Sequence, residues 1–489
     1  MSLEALPTPD RHTRRAVWVL GAAVLVATCV LSQPSTGWNV NSRFDLVFAV
    51  VDHHTLSIDA YHDTAPYETG DKAFYNGHYY SDKTIGLTLL GVPAYALIRA
   101  ASSVVGHKPG VSITEWMITR MTVAPAAAIA VMLLAWLLMM LGAPPRRALL
   151  VAAGVFAGSM LFGYSTVFLP YVPGVAACLG ALVLVLGPPL TWRRAAAVGG
   201  LLGMALIFDL TFIIGVALIG ALLLLRLRPL GWRNAGIRLA GLAAAAAVPL
   251  GIFAAYCLHL FGSLSIPYKY EYSDYFRTEM AKGLMGATAP KVNVMWFLAI
   301  HPYRGIFFWS PWVLMALACC VWIWRNDHAR RPFAVVAAVG FVGYFLFNAG
   351  YYLWWGGAAM GPRLMIPMFA VVPLVLAVAC RLDSPRWMWP TLAGTLFVSA
   401  VLSLPVGMVD PQPAEGNTQE VLLRADPAAG LHVSQLTNLR QFWTFQWTDL
   451  RGGAHLSLTV SFVLCLASLV GGTALATRVA RLRSSANQG

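Results

Sequence analysis

Apolar and polar positions alternate in long blocks along the chain. Apolar runs occur at about 16–32, 84–105, 115–142, 148–169, 174–191, 195–208, 210–225, 239–261, 306–324, 333–350, 364–380, 387–407 and 455–477. Because ~20 apolar residues in a helix cross a ~30 Å hydrocarbon layer, this pattern predicts an all-α polytopic membrane protein. The stretch 195–225 is too long for one span and Asp209 interrupts it, so it predicts two short helices that meet at an outer turn.

Basic residues between these runs set the predicted orientation, because Lys and Arg are enriched in cytoplasmic loops. The basic clusters lie at 11–15, 146–147, 193–194, 226–238, 325–331, 381–386 and 478–483. All of them can be cytoplasmic only if the run 84–105, which contains Pro93 and Arg99, does not cross the bilayer. We therefore predict that 84–105 is a helix at the outer interface. The remaining twelve runs then span the membrane and both termini are cytoplasmic, with thirteen full spans as the alternative.

Composition supports a membrane protein and excludes two other classes. The 489 residues are 58% hydrophobic and only 11% charged, which excludes a soluble protein. The net charge of +13 sits in short clusters between apolar runs, which excludes nucleic acid as the partner. All seven cysteines fall inside apolar runs, so no disulfide framework or CxxC metal site is predicted. The first run lacks a convincing A-x-A cleavage site, which predicts a retained span within one integral membrane domain, 1–489.

Three outer loops follow from this topology. They cover 33–114, 262–305 and 408–454, and a further outer turn lies at 351–363. The first loop concentrates seven of the 21 acidic residues, namely Glu68 and the six aspartates Asp45, Asp52, Asp59, Asp63, Asp71 and Asp82. An outer loop also simply tolerates carboxylates, and we interpret Asp52, Asp63 and Asp71 in that way.

The two ends of the acidic loop suggest a site for an anionic lipid headgroup. Asp45 follows the first span, and Asp82 and Lys83 stand just before the interfacial helix. A carboxylate near the membrane can accept a proton from a hydroxyl or hold a divalent cation. A lysine beside it suits a phosphate oxygen.

Three arginines at outer membrane ends are further candidates. Arg120 lies near the outer start of its span, while Arg304 and Arg363 stand among aromatics and glycines in HPYRG and WWGGAAMGPR. An arginine at that depth usually faces a partner or a water-filled cavity, although snorkelling to headgroups is the alternative for Arg120. Trp354 and Trp355 either shape a cavity mouth or belong to an interfacial aromatic belt.

These residues resemble the GT-C superfamily of multi-spanning glycosyltransferases, which use a polyprenyl-phosphate-linked sugar. Within it, the similarity is to the branch of the protein O-mannosyltransferases and lipid A aminoarabinose transferases. SRFD with Asp45 resembles the acidic residue after the first span, and SDKTIGLTLL with Asp82 and Lys83 resembles the element that opens a juxtamembrane helix. TEWMITR with Arg120 is similar to the element that opens the second span. HPYRGIFFWSPW and WWGGAAMGPR resemble segments of bacterial members.

The resemblance implies an inverting sugar transfer to a hydroxyl on the extracytoplasmic face of a bacterial cytoplasmic membrane. Asp45 would be the general base. The donor phosphate would be bound by Lys83, Arg120, Arg304 and Arg363. The predicted lining of the substrate cavity is completed by Asp59, Tyr79, Tyr80, Asp209, Trp354 and Trp355. The resemblance allows, but does not require, a divalent cation held by Asp82 with His301.

The sequence leaves the sugar open between a hexose and a pentose, and the acceptor open between a glycan, a lipid and a protein. A flippase or transporter of a lipid-linked saccharide is the competing hypothesis. It would share a cationic cavity, but it would also need ionisable residues near the bilayer midplane. The predicted spans hold almost none apart from Asp209, which we place at a turn.

Overall fold

Helices make up nearly all regular structure in the computed structural model, which describes residues 10–31, 37–412, 434–443 and 455–486. The α-helices are α1 (Arg11–Cys29), α2 (Trp38–Phe48), α3 (Gly86–Val105), α4 (Val111–Met140), α5 (Pro145–Ala157), α6 (Met160–Tyr164), α7 (Tyr171–Leu186), α8 (Trp192–Phe208), α9 (Ile213–Leu227), α10 (Trp232–Phe261), α11 (Asp274–Met280), α12 (Val292–Ala299), α13 (Ile306–Trp309), α14 (Trp312–Asn326), α15 (Arg331–Gly350), α16 (Leu376–Cys380), α17 (Met388–Val409), α18 (Ser434–Trp443) and α19 (His455–Ala486). Short 3-10 segments lie at Leu210–Phe212, Arg228–Leu230, Pro267–Tyr270, His328–Arg330, Arg363–Ala370 and Val372–Val375. Helix α2 continues as a π-helical turn, Ala49–His53. One hairpin, β1 (Lys72–Tyr75) and β2 (His78–Ser81), is the only sheet in this part of the chain.

The helices match the apolar runs of the sequence. Among the described residues, seven helices are long and apolar enough to cross a membrane, or eight if the bent pair Arg363–Ala370 and Val372–Cys380 is one span. Ten of the twelve runs predicted as spans coincide with one helix or with that bent pair, whereas 148–169 is divided between α5 and α6 and 306–324 between α13 and α14. The predicted fold class, an all-α polytopic membrane protein with helices in the first loop, is therefore confirmed. Helices α7, α8 and α14 have only 15 to 17 residues, and their full crossing stays a prediction.

Helix α3, whose crossing decides the orientation, lies alongside the loop helix α2. The two run parallel, because Ser42 Oγ is 3.1 Å from Asp82 Oδ1 at their starts and Arg99 Nε is 3.0 Å from Asp52 Oδ1 further along. If α3 crossed the bilayer, α2 would also lie inside the bilayer, and so would its fully buried Arg43. By length and composition α3 passes as a span. Its interfacial position stays our prediction, and the pairing with α2 supports that prediction.

Helices α8 and α10 approach each other closely at two glycines. A Cβ at Gly199 would lie 2.0 Å from the carbonyl oxygen of Leu242, and one at Gly203 would lie 2.9 Å from that of Ala246. Small residues allow membrane helices to come into backbone contact in this way. The contact fixes α10 beside the break between α8 and α9.

Three basic clusters that were predicted to be cytoplasmic meet at one end of the bundle. Arg147 Nη1 donates to the carbonyl oxygens of Cys380 and Arg381 at 2.9 and 3.2 Å. Asp327 pairs with Arg330 at 2.6 Å and with Arg381 at 3.3 Å. The three clusters therefore share one side of the bundle, as the orientation argument requires.

The segments that were predicted to be outer meet at the opposite end of α15. The Thr288 amide donates to the carbonyl of Gly350 at 2.9 Å, which joins the second loop to the turn after α15. The Tyr272 amide donates to the carbonyl of Lys72 at 2.8 Å, which joins the second loop to the hairpin of the first. Which end is cytoplasmic stays a prediction from the basic clusters.

Candidate active site

A cavity of about 410 Å³ opens where the first and second loops meet α8, α9, α10 and α15. Its polar lining comes mostly from loops and helix ends, namely Asn39, Asp71, Lys83, Tyr171, Asp209, Thr211, Tyr268, Glu271, Tyr351, Tyr352 and Arg363. Its apolar lining includes side chains of the bundle helices, namely Leu206, Ile213, Ile214, Leu250 and Phe347. The cavity thus joins a charged region to an apolar wall.

The hairpin fixes which carboxylates lie beside Lys83. Its turn residues Asn76 and Gly77 have φ values of 51° and 85°, the left-handed conformation that a two-residue hairpin turn requires. The resulting register pairs Lys72 with Ser81. Asp71 and Asp82 directly follow this pair on the side away from the turn, so both lie beside Lys83.

Lys83 is held by two carboxylates. Its Nζ lies 2.7 Å from Asp71 Oδ2 and 2.5 Å from Asp82 Oδ2, and it stands 5.5 Å from the centre of the Tyr268 ring. Burial alone would lower the pKa of this amine, but the charges of Asp71 and Asp82 outweigh burial and raise the pKa well above its usual value. The lysine therefore stays protonated, because two anions offset the cost of burying its charge.

Glu271 and Asp82 hold one proton between them. Burial raises the pKa of Glu271 to about 11, and the adjacent charge of Asp82 adds to this effect. Burial also acts to raise the pKa of Asp82, but the charge of Lys83 and hydrogen bonds from Glu271 and Ser42 lower it below its usual value. At neutral pH Glu271 is therefore neutral and Asp82 is an anion. Glu271 reaches this position because it bridges to Ala73 of β1.

Arg363 is the cavity cation that has no anionic partner. No carboxylate of the described residues lies within 4.0 Å of its guanidinium, whereas two carboxylates lie beside the amine of Lys83. Its Nε is buried and has no hydrogen-bond partner in the same part of the chain. Gly356, with φ +75°, leaves room for it, since a Cβ there would lie 2.9 Å from Arg363 Cγ. A half-buried guanidinium that lines a cavity and forms no ion pair among the described residues is suited to bind an anion.

Four predicted site residues come together here. Lys83, Arg363 and Asp209 line the cavity, and Asp82 stands behind Lys83. Asp209 ends α8 at the predicted outer turn and accepts hydrogen bonds from the amide and hydroxyl of Thr211 at 2.9 and 2.7 Å.

Asp45 lies outside the cavity lining, so the structure corrects the predicted pocket shared by Asp45, Lys83 and Arg120. Its side chain is fully buried, and neither oxygen has a hydrogen-bond partner among the described residues. Burial and the charge of Glu115 raise its pKa to about 9, against a smaller opposing effect of Lys72. At neutral pH this carboxyl is protonated and cannot accept a proton. A catalytic role for Asp45 stays a prediction that would require a different arrangement.

We expect Asp45→Asn to raise the thermal stability of the protein. The folded pKa of about 9 lies above the ordinary value of 3.8, so folding takes up a proton between these values and wild-type stability falls as pH rises through them. Asparagine mimics the neutral acid and has no such dependence. Melting temperatures in detergent between pH 5 and pH 8, spanning much of that range, should show a gain that grows with pH. An equal or lower melting temperature at pH 8 would contradict this prediction.

Two of the predicted phosphate-binding arginines hold backbone instead. Arg120 donates to the carbonyl oxygens of Leu31 and, at 3.1 Å, Thr166. Arg304 donates to the carbonyl oxygens of Trp355 at 2.6 Å and Gly357 at 2.9 Å, so it fastens the turn before Arg363. Neither arginine lines the cavity. Each instead joins segments that are distant in sequence.

The remaining predicted lining residues lie elsewhere. Asp59 accepts from His78 at 2.7 Å and from the amide of Tyr79 at 2.7 Å on the hairpin surface. The Tyr79 ring packs against Phe74 at a tilt and against Tyr272 edge to face, and the Tyr80 ring contacts Phe261 edge to face. Trp354 and Trp355 pack in a separate apolar cluster with Phe297 and Tyr303, although their neighbours Leu353 and Gly356 line the cavity.

The two residues predicted for a metal, Asp82 and His301, make other contacts in the structure, and a metal between them stays a prediction. His301 Nδ1 accepts from the Tyr303 amide at 3.1 Å and its ring packs on Phe297. Asp82 instead contacts Lys83 and Ser42. Among the described residues, no group of three or more His, Cys, Asp or Glu side chains could hold a metal ion.

Sequence reasoning missed part of the charged cavity wall. Asp71 was interpreted as an ordinary loop carboxylate, and Glu271, Tyr268 and Tyr351 were not singled out. A signal for Asp71 was present, because Asn-Gly between alternating residues predicts a two-residue hairpin turn. Counting outward from that turn places Asp71 opposite Asp82. No comparable local signal marks Glu271.

The fold is similar to that of a structurally characterised protein, ArnT. Two crystal structures of ArnT from Cupriavidus metallidurans, one bound to undecaprenyl phosphate and one in the apo state, match 96% of this chain. The TM-scores are 0.51 and 0.50, and the matches cover 77% and 78% of the ArnT chain. The sequence identity is 14% in both cases, so the likeness establishes the fold alone. At that level it agrees with the fold that the sequence resemblance implies. No protein-family model matches the chain, and no curated protein matches it.

Proposed function

We propose that this protein is a membrane glycosyltransferase that moves a sugar from a polyprenyl-phosphate carrier to a hydroxyl acceptor, with inversion at the anomeric carbon. The observation that carries the proposal is Arg363, a half-buried guanidinium whose Nε is buried without a hydrogen-bond partner and which has no carboxylate partner among the described residues, in a cavity that also has apolar walls. An amphiphilic anion fits both features. The similar fold of ArnT, which has been crystallised with undecaprenyl phosphate, points to the same ligand class.

The charged and apolar regions of the cavity suit the phosphate and the isoprenoid chain of the donor. The phosphate would bind Arg363 and Lys83, and the isoprenoid chain would lie against Ile214, Leu250 and Phe347 of α9, α10 and α15. Burial of an isoprenoid against such side chains contributes ~25 cal/mol per Å². A charge-assisted contact with the phosphate adds direction and fixes the sugar near the loops.

The proposed reaction is a single displacement. The acceptor oxygen attacks C1 of the sugar, the bond from C1 to the phosphate oxygen breaks, and the electron pair leaves with the polyprenyl phosphate. This leaving group already is an anion, so cations rather than a general acid must stabilise its growing charge. Lys83 and Arg363 are the cavity side chains that supply positive charge.

We place this site on the extracytoplasmic side of a bacterial cytoplasmic membrane. The support is the meeting of basic clusters at one end of the bundle and of the loops and cavity at the other. Both termini would then be cytoplasmic. The hydroxyl acceptor belongs to a glycan, a lipid or a protein.

The experiment that tests the function compares cell-envelope glycans with and without this protein by mass spectrometry. We expect the acceptor to lose one sugar when the gene is deleted, and an Arg363→Ala copy to fail to restore it. The proposal is overturned if the sugar-bearing carrier accumulates in the inner leaflet and detergent-opened membranes of the deletion strain still glycosylate the acceptor. That result would favour a flippase, since transfer itself would not depend on the protein.

A further inference from the structure

We infer that Asp71 is the catalytic base of the transfer, an inference that rests on the proposed function. Three carboxyl groups line the cavity, those of Asp71, Asp209 and Glu271. A base must be ionised and must reach the acceptor hydroxyl beside C1. Only one of the three satisfies both conditions together with closeness to a phosphate-binding cation.

Glu271 and Asp209 are excluded on different grounds. Glu271 carries its own proton at neutral pH, because burial and Asp82 favour the neutral acid. Asp209 caps the start of the short helix before α9 through two bonds to Thr211. It also forms no ion pair with a cavity cation among the described residues.

Asp71 lies where a base for displacement at C1 is required. Its Oδ2 is 2.7 Å from Lys83 Nζ, and its side chain is 18% exposed, compared with 1% for Asp82. A phosphate oxygen bound to the same amine would be separated from the Asp71 carboxylate by two hydrogen bonds of ~2.8 Å each. In an in-line displacement the base lies one hydrogen bond beyond the entering oxygen, on the side of C1 away from the leaving oxygen. The Asp71 oxygen that accepts the proton is therefore Oδ1, since Oδ2 is the one that contacts Lys83.

The ion pair also explains how the base is positioned before the substrate arrives. Lys83 holds the Asp71 carboxylate by an ion pair, and the hairpin register fixes the backbone from which Asp71 extends. During transfer the acceptor O–H proton passes to Asp71 as the new C1–O bond forms. The resulting carboxylic acid later returns the proton to water at the exposed side of the cavity.

The test compares Asp71→Asn with a matched control, Asp63→Asn. Asp63 pairs with a buried lysine of the same hairpin, Lys72, at 2.6 Å, but it is 70% exposed and does not line the cavity. We expect Asp71→Asn to lower kcat by ~10²–10⁴-fold. Its Kd for undecaprenyl phosphate should be equal or lower, because an anion that competes for Lys83 has lost its charge. The control should retain the wild-type kcat and Kd.

Chemical rescue separates a base from a structural residue. Formate added to Asp71→Ala should restore part of kcat, since a small carboxylate can occupy the vacated space and accept the proton. The inference is overturned if Asp71→Asn keeps the wild-type kcat, if it loses kcat and binding together without rescue, or if Asp45→Asn shows the large loss instead. A wild-type protein that binds undecaprenyl phosphate yet transfers no sugar would refute the proposed function itself.

Discussion

Replacing Lys83 with glutamine is expected to lower sugar transfer by ~10²–10³-fold, the usual cost of removing one preorganised group that stabilises a developing negative charge. The amine is fixed by Asp71 and Asp82 and needs no reorganisation when charge builds on the leaving phosphate. Glutamine keeps a donor but supplies no charge. Initial rates with a polyprenyl-phosphate sugar, measured on purified protein, provide the check.

The same substitution should also destabilise the protein, because it leaves two carboxylates without their cation. Breaking a buried ion pair from one side costs ~3–5 kcal/mol. Lys72→Gln is the matched control, since Lys72 is equally buried in the same hairpin and pairs with Asp63 outside the cavity. A Lys72→Gln variant that lost transfer as strongly as Lys83→Gln would show that hairpin stability alone accounts for the effect.

Arg363→Ala is expected to weaken binding of undecaprenyl phosphate and to lower transfer by ~10²–10³-fold, but without loss of stability. The half-buried guanidinium forms no ion pair among the described residues, so its removal leaves no carboxylate without a cation. Removing it should leave the melting temperature equal or higher, the opposite of the effect at Lys83. Arg363→Lys should recover only part of the binding, because it keeps the charge and loses the planar fork.

Titration of the two variants with undecaprenyl phosphate, alongside thermal unfolding, separates these effects. The exposed Arg193, in a basic cluster at the start of α8, serves as the control for loss of one positive charge. An Arg363→Ala protein that binds the carrier with wild-type affinity would remove the main support for the proposed function.

Hydrophobic spacing and charge predicted most of the fold because these signals are local. Asp209 was expected to split a long apolar run, and α8 ends at Phe208 with a 3-10 turn after it. The basic clusters were expected on one side, and three of them contact each other. A membrane span needs only length and composition to be recognised.

The candidate site was predicted less completely, since its contacts join distant segments. Arg120, Arg304 and Arg363 look alike in sequence, each at an outer helix end. Two of them donate to backbone carbonyls 51 and 89 residues away, a use that no local pattern reveals. Glu271 reaches Asp82 only because the second loop bridges to β1. Asp71 was missed although a local signal existed, because the Asn-Gly turn encodes its position opposite Asp82.

Asp71 and the phosphate of the carrier use the same amine, that of Lys83, and this has a consequence for turnover. When the spent carrier still occupies the amine, Asp71 has just become a neutral acid and does not compete for it. Once that acid ionises, an intramolecular anion is available to displace the lipid product from the lysine. Release of the carrier would then follow deprotonation of Asp71. No second protein would be needed to remove the product from the site.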